Sequence, residues 1–297
     1  MTQSKNPYSL EHAADYIAWR DNKLADYPRS VAELVVEIED ATCLSVGEKQ
    51  QLLRRIAKSN FVIYQLKDPQ QSDKRAISAL GQQLGLARLD SNLCADEDSI
   101  TSLQVQAAKH QRGYIPYSNL RLSWHTDGYY NTADRSIRAM LLHCVQDASV
   151  GGENLLLDHE ICYIHLRDRN PEYIRALMQP RAMTIPANNE GGEEMRAALS
   201  GPVFSLQTPS GRLHMRYTAR TRSVEWQEDA ITQAARESIR DFLASDSPYI
   251  FRHRLQPGQG VLSNNILHAR TAFEDGGQGG KNRLLFRARY YDRIRDS

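Results

Sequence analysis

Gly260-Val-Leu-Ser-Asn-Asn-Ile-Leu-His268-Ala-Arg-Thr-Ala-Phe273, a glycine-rich run, and then Asn282-Arg-Leu-Leu-Phe-Arg-Ala-Arg-Tyr-Tyr291 form the stretch on which the architecture turns. Gln256-Pro-Gly-Gln-Gly260 reads as a turn, Val261 and Leu262 as a short buried strand, and Asn264-Asn265 as a second turn that delivers His268. In the strand that follows, Arg283, Arg287 and Arg289 stand at even separations and so share one face. Two dispositions of that face are open. Turned inward, a row of guanidiniums is costly unless anions meet it, and the planar fork of arginine matches a carboxylate with two parallel hydrogen bonds. Turned outward, the arginines line solvent while Leu284, Phe286, Ala288 and Tyr290 fill the core, which is the commoner use of alternation.

Further toward the N-terminus stands His125-Thr126-Asp127. On an extended segment His125 and Asp127 project to the same side, so one short strand end supplies an imidazole and a hard anionic oxygen together. Two histidines and one carboxylate suit Fe(II) with open coordination positions better than the all-nitrogen or thiolate sets usual for zinc. Gly128 directly behind fits a backbone that turns sharply there. With nine histidines in 297 residues, a chance His-x-Asp is to be expected, and the pair acquires meaning only in company.

The rest of the chain bounds the possibilities. A formal net charge of +1 leaves no global footprint for nucleic acid, so clustered arginines need local explanations. A hydrophobic fraction of 41% supports a sizeable core. No apolar run reaches the length of a transmembrane helix, and the N-terminus lacks a basic-then-apolar leader, so a cytoplasmic location without membrane association is expected. Cys43, Cys94, Cys144 and Cys162 are scattered, with no Cys-x-x-Cys pair; free thiols in a reducing compartment fit better than disulfides or structural zinc.

Amphipathic spacing predicts helices over Leu10–Leu24 and Val46–Lys58, a strand over Asn60–Leu66, and a helix from Asp73 to Leu84 ended by Gly85. Asp90 to Trp124 is irregular, with a short strand at Ile100–Val105. Met140–Val145 reads as a buried strand in which His143 is a satisfied core residue, and Trp124 as core. Glu160 to Met178 is helical with an interruption at Pro171, Asp229–Ala244 is a helix, and Tyr249–Leu255 alternates as a strand. Asn188–Glu194 is an acidic loop. Arg212 to Arg222 reads as a strand presenting Arg216, Arg220 and Arg222 together, either paired at the surface or meeting a substrate anion. Many short strands with a few covering helices predict a mainly β fold with flanking α elements, an eight-stranded jelly roll or double-stranded β-helix. One catalytic domain over residues 1–297 is expected, with residues 1–58 as a mostly helical extension packed on the barrel.

The ordered set His125-x-Asp127, Gly151-Gly152-Glu153-Asn154, Gln256-Pro-Gly, His268-Ala-Arg-Thr and Arg283 with Arg287 resembles the taurine dioxygenase superfamily of Fe(II)- and 2-oxoglutarate-dependent oxygenases over roughly Phe61 to Tyr291. The motifs look closest to its clavaminate synthase-like branch. The resemblance implies that His125, Asp127 and His268 hold Fe(II), that Arg283 pairs with the far carboxylate of 2-oxoglutarate, and that dioxygen is consumed with release of succinate and CO2. Asn154 stands where relatives often place a threonine, and its amide can donate the same hydrogen bond. The interval from His268 to Arg283 is slightly longer than is usual, and the loop from Gly276 to Gly280 absorbs the difference. Arg287 occupies a place where some relatives grip an anion on the prime substrate; a partner such as Asp292 is the alternative. Asp127 favours hydroxylation over halogenation, because family halogenases carry a small residue there.

The expected activity is hydroxylation of a small anionic or amino-acid-like molecule, with Tyr129, Tyr130, Arg287, Arg216 and Arg220 as candidate substrate contacts. Desaturation or cyclisation on the same site, including on a carrier-bound intermediate, stands beside it. So do a non-catalytic jelly-roll module that binds carboxylates and a cupin-like metalloenzyme without 2-oxoglutarate. The oligomeric state is left open.

Overall fold

The computed structural model describes residues 6–91, 98–105, 117–190, 193–220, 224–276 and 282–297. Cys94, Arg222 and most of the Gly276–Gly280 loop lie outside them. Ten strands make two facing sheets: β1 (Val35–Ile38), β2 (Phe61–Leu66), β3 (Thr101–Leu103), β4 (Leu122–His125), β5 (Ala139–Gln146), β6 (Asn154–Leu157), β7 (Phe251–His253), β8 (Gln259–Ser263), β9 (Leu267–Arg270) and β10 (Leu284–Tyr290). One sheet runs β1-β2-β8-β5-β10-β3 and the other β7-β6-β9-β4. This is the expected double-stranded β-helix, enlarged beyond eight strands. One addition is β1, which pairs in parallel with β2 inside the segment expected to be helical.

Both faces of the larger sheet are covered, which explains why β2 and β5 read as continuous apolar runs rather than alternating ones. Phe61 and Ile63 of β2, Met140 and Leu142 of β5, and Leu285 of β10 belong to the core between the sheets. Val62, Tyr64, Leu141, Ala288 and Tyr290 belong to a second core beneath two helices, α2 (Val46–Ser59) and α3 (Lys74–Gln83). The α2 helix starts on a reciprocal Ser45–Glu48 capping box and stops at Asn60, whose left-handed conformation (φ 59°) turns the chain straight into β2. On the outer face Gly260 pairs with both Tyr64 and His143. A Cβ there would stand 2.3 Å from the Tyr64 ring. The space lets the Tyr64 hydroxyl hydrogen-bond His143 Nδ1 at 2.9 Å, so His143 is the core residue expected, but only half satisfied: its Nε2 is buried without a partner among the described residues.

Both dispositions of the β10 arginine face are therefore partly right. Ala288, Phe286 and Tyr290 do pack against a core, yet Arg287 pairs across β5 with inward-facing Leu142, and Arg283, Arg287 and Arg289 are all buried. Two other expectations are corrected. The strand from Arg212 stops at Met215, where Tyr217 turns away to exchange hydrogen bonds with Thr126; Arg216 and Arg220 therefore share no strand face, and Arg222 lies outside the described residues. The acidic segment expected as a loop carries two short antiparallel strands, Asn188–Glu190 and Glu193–Arg196.

Candidate metal and anion site

His125 and His268 are cross-strand partners on β4 and β9, so the sheet ladder itself sets them face to face, with ring centroids 4.2 Å apart. Asp127 follows two residues past the end of β4, and Gly128 (φ 66°) then bends the chain; a Cβ at Gly128 would lie 2.5 Å from Ile137. His125 Nε2 stands 3.8 Å from Asp127 Oδ1. One donor atom from each of the three residues lies within 4.8 Å of the others.

Each histidine presents its Nε2 by the same device. His125 Nδ1 lies 2.9 Å from the Ser123 carbonyl and His268 Nδ1 lies 3.0 Å from that of Ile266. A carbonyl only accepts, so Nδ1 carries the proton and Nε2 keeps a free lone pair. Burial above all pushes His125 down to about 3 and moves His268 in the same direction, so both rings are neutral at ordinary pH. For Asp127 burial acts upward, and the Arg287 and Arg289 guanidiniums more than reverse it, holding the carboxyl well below the usual range. Its Oδ2 is buried without a hydrogen-bond partner among the described residues. Two neutral imidazoles, one carboxylate and an orphaned carboxylate oxygen form a donor set that fits Fe(II).

Arg283 sits apart from this cluster, 5% exposed, with its guanidinium carbon 4.9 Å from the Phe273 ring centre. Its main-chain N–H donates to Asp275 Oδ1 at 2.8 Å. Its side chain donates to no described group, and burial lowers it to about 10, with the nearby Asp275 carboxylate offsetting only part of that. Asn154, Cys144, Gly152 and Leu285 line the same cleft, so the structure brings together the two residues expected at the far carboxylate. Arg270 was missed by sequence reasoning. It pairs with Asn154 across the sheet and lies 4.7 Å from the same Phe273 ring, while its guanidinium donates to the Ser118 and Leu120 carbonyls. Its position two residues after His268 on a strand was signal enough for a shared face.

Arg287 Nη1 approaches Asp127 Oδ1 at 3.4 Å, and its Nε is buried without a described partner. Asp292, the alternative partner, instead bonds Arg88 Nε at 2.7 Å and caps two main-chain N–H groups. Arg289 donates to the Tyr130 hydroxyl at 2.9 Å and pairs with Asp90, which sequence reasoning also missed. Tyr129 stands edge-on to His125 at 6.5 Å and to Tyr130 at 5.2 Å, so Tyr129 borders the donor cluster and Tyr130 stands behind it. Arg216 bonds main-chain carbonyls of Pro202, Gly201, Met183 and Tyr129. Arg220 is exposed.

The model of the taurine catabolism dioxygenase TauD, TfdA family matches residues 23–289. A uridine-5'-phosphate dioxygenase from Amycolatopsis sp is 26% identical over 295 residues, covering 89% of this chain and 99% of that protein. Another from Streptomyces sp is 30% identical over 224 residues, 72% of this chain and 78% of its own length. The solved structure of an asparagine oxygenase in complex with Fe(II), 2S,3S-3-hydroxyasparagine and succinate superposes with a TM-score of 0.59 at 16% identity, covering 83% of this chain and 80% of that one, a likeness of fold.

Proposed function

Since the chain belongs to the taurine catabolism dioxygenase TauD, TfdA family of Fe(II)- and 2-oxoglutarate-dependent dioxygenases, we propose that His125, Asp127 and His268 hold its iron and that it hydroxylates a small phosphate-bearing substrate of the nucleoside monophosphate class. The observation that carries the reading is the division of buried cations around one donor cluster. The Arg283 side chain donates to no described group in the cleft it shares with Asn154, and Arg287 stands beside the Asp127 carboxylate with an Nε that is buried without a partner among the described residues.

Iron, 2-oxoglutarate and dioxygen together supply the oxidising chemistry when bound. The chain's part is to orient and to exclude water. Arg283 forks onto the far carboxylate of 2-oxoglutarate while the Asn154 amide donates beside it. The neutral imidazoles and ionised Asp127 are ready to ligate without a proton having to leave. Arg287 directs the substrate's anionic end toward the metal side, and Tyr129 and Tyr130 wall that side off. Two relatives named for uridine-5'-phosphate support a phosphate ester over an amino acid, and the arginine fork suits phosphate as well as carboxylate.

Succinate release from 2-oxoglutarate tests the reading, with uridine-5'-phosphate, other nucleoside monophosphates, asparagine and taurine offered in turn. Stimulation by a nucleoside monophosphate is expected. Oxidation at the carbon bearing the ester would also free inorganic phosphate in step with succinate. Stimulation by the amino acids alone would reject the phosphate reading.

A further inference from the structure

Of the three donors, Asp127 alone lies outside the strand ladder. His125 and His268 are held by β4 pairing with β9, whereas Asp127 follows the end of β4 and precedes a glycine with positive φ. Its main chain is fastened by one side chain. Asn265 Oδ1 accepts from the Asp127 N–H at 2.8 Å, and Asn265 Nδ2 donates to the Asp127 carbonyl at 2.9 Å and to the Ile137 carbonyl at 2.7 Å. Asn265 is 1% exposed, adopts φ 53°, and occupies the turn between β8 and β9, three residues ahead of His268.

One amide thus ties the third donor to the same turn that launches His268. We infer that Asn265 is a positioning residue of the metal centre, setting where the Asp127 carboxylate stands relative to the His268 imidazole; this rests on reading the three residues as the iron site. A primary amide is suited to the task because it accepts and donates at once, and asparagine tolerates the left-handed region that the turn demands. Aspartate keeps the shape and loses both donated bonds. Glycine keeps the backbone conformation and loses the amide. Groups that hold metal ligands in place typically matter 10- to 100-fold in metal affinity.

The test is titration of Co(II) into the metal-free full-length chain, read by its visible absorption, for wild type, Asn265→Gly, Asn265→Asp, Asp127→Ala and the double variant Asp127→Ala/Asn265→Gly. The dissociation constant is expected to rise about 10- to 100-fold in Asn265→Gly and Asn265→Asp. In the Asp127→Ala background Asn265→Gly should add nothing, because the carboxylate it positions is gone. Wild-type affinity in both single variants would overturn the inference, and so would an equal loss with and without Asp127, which would mean general loosening of the fold. Should Asn265→Gly not fold, the isosteric Asn265→Asp decides alone. A wild-type chain that binds no Co(II) would instead overturn the metal reading itself, and the inference with it.

Discussion

Arg287 Nη1 lies 3.4 Å from Asp127 Oδ1 inside the barrel, and the same guanidinium keeps an Nε that is buried without a partner among the described residues. A metal on Asp127 would take over the negative charge that Arg287 now shares, leaving a buried guanidinium in need of a new anion. Arg287→Ala should therefore raise the KM of the anionic substrate by tenfold or more while leaving 2-oxoglutarate affinity within about twofold, since loss of one partner of a buried charge pair costs on the order of 2–5 kcal/mol. Steady-state kinetics with each substrate varied separately checks this. A matched loss of 2-oxoglutarate affinity would remove Arg287 from the substrate side.

Arg283 is expected to behave in the opposite way. Replacing it by alanine should weaken 2-oxoglutarate by about 2–5 kcal/mol and leave metal affinity largely intact. Lysine should recover only part of this, because a point charge cannot replace the two parallel bonds of the fork. Equilibrium titration of 2-oxoglutarate into the metal-loaded, oxygen-free protein measures both, and an unchanged constant in Arg283→Ala would count against the assignment.

Acid should destabilise the metal-free chain through its buried histidines. Burial holds His143 and His159 down to about 4, against about 6.5 for an unfolded histidine. Between these values the unfolded chain takes up protons that the folded chain refuses, so stability falls as pH falls. Each histidine contributes up to about 1.4 kcal/mol per pH unit across that window. Urea unfolding from pH 7 to 4.5 should show the decline, and His143→Gln should make it less steep without abolishing it. A flat profile would mean that these rings are accessible to protons when folded.

Lys23, at the end of the helix α1 (Ala13–Leu24), is buried with its Nζ 2.7 Å from Asp158 and 2.6 Å from Glu160. Lys23→Met should cost about 3–5 kcal/mol by leaving two buried carboxylates without their cation, and neutralising them as Asn and Gln should restore much of it. Chemical denaturation of the single and triple variants measures this. A Lys23→Met chain of unchanged stability would show that the N-terminal helix is not held there by charge.

The clustering of His125, Asp127 and His268 could be anticipated because period-2 projection and donor chemistry are local properties, and β2 and β5 were legible because burial on both faces writes continuous apolar runs into the chain. Asn265 was visible only as a turn residue, since its bonds reach Asp127 and Ile137, more than a hundred positions away. For Arg287 and Arg289 alternation gives one face without saying which; the family resemblance pointed inward, while the partners that meet them there, Asp127 and Asp90, arrive from distant loops. Arg216 shows the converse, a strand pattern overridden when Tyr217 leaves to clamp Thr126. Strand β1 was missed because four residues at a sheet edge are too short for a periodic signal.

The most direct test is anaerobic addition of Fe(II) and then 2-oxoglutarate to the full-length chain, followed by visible absorption. A weak charge-transfer band is expected that needs both components, saturates at one iron per chain, and is lost in His125→Ala and in His268→Ala. No band in the wild-type chain, or a band undiminished in those two variants, would contradict it.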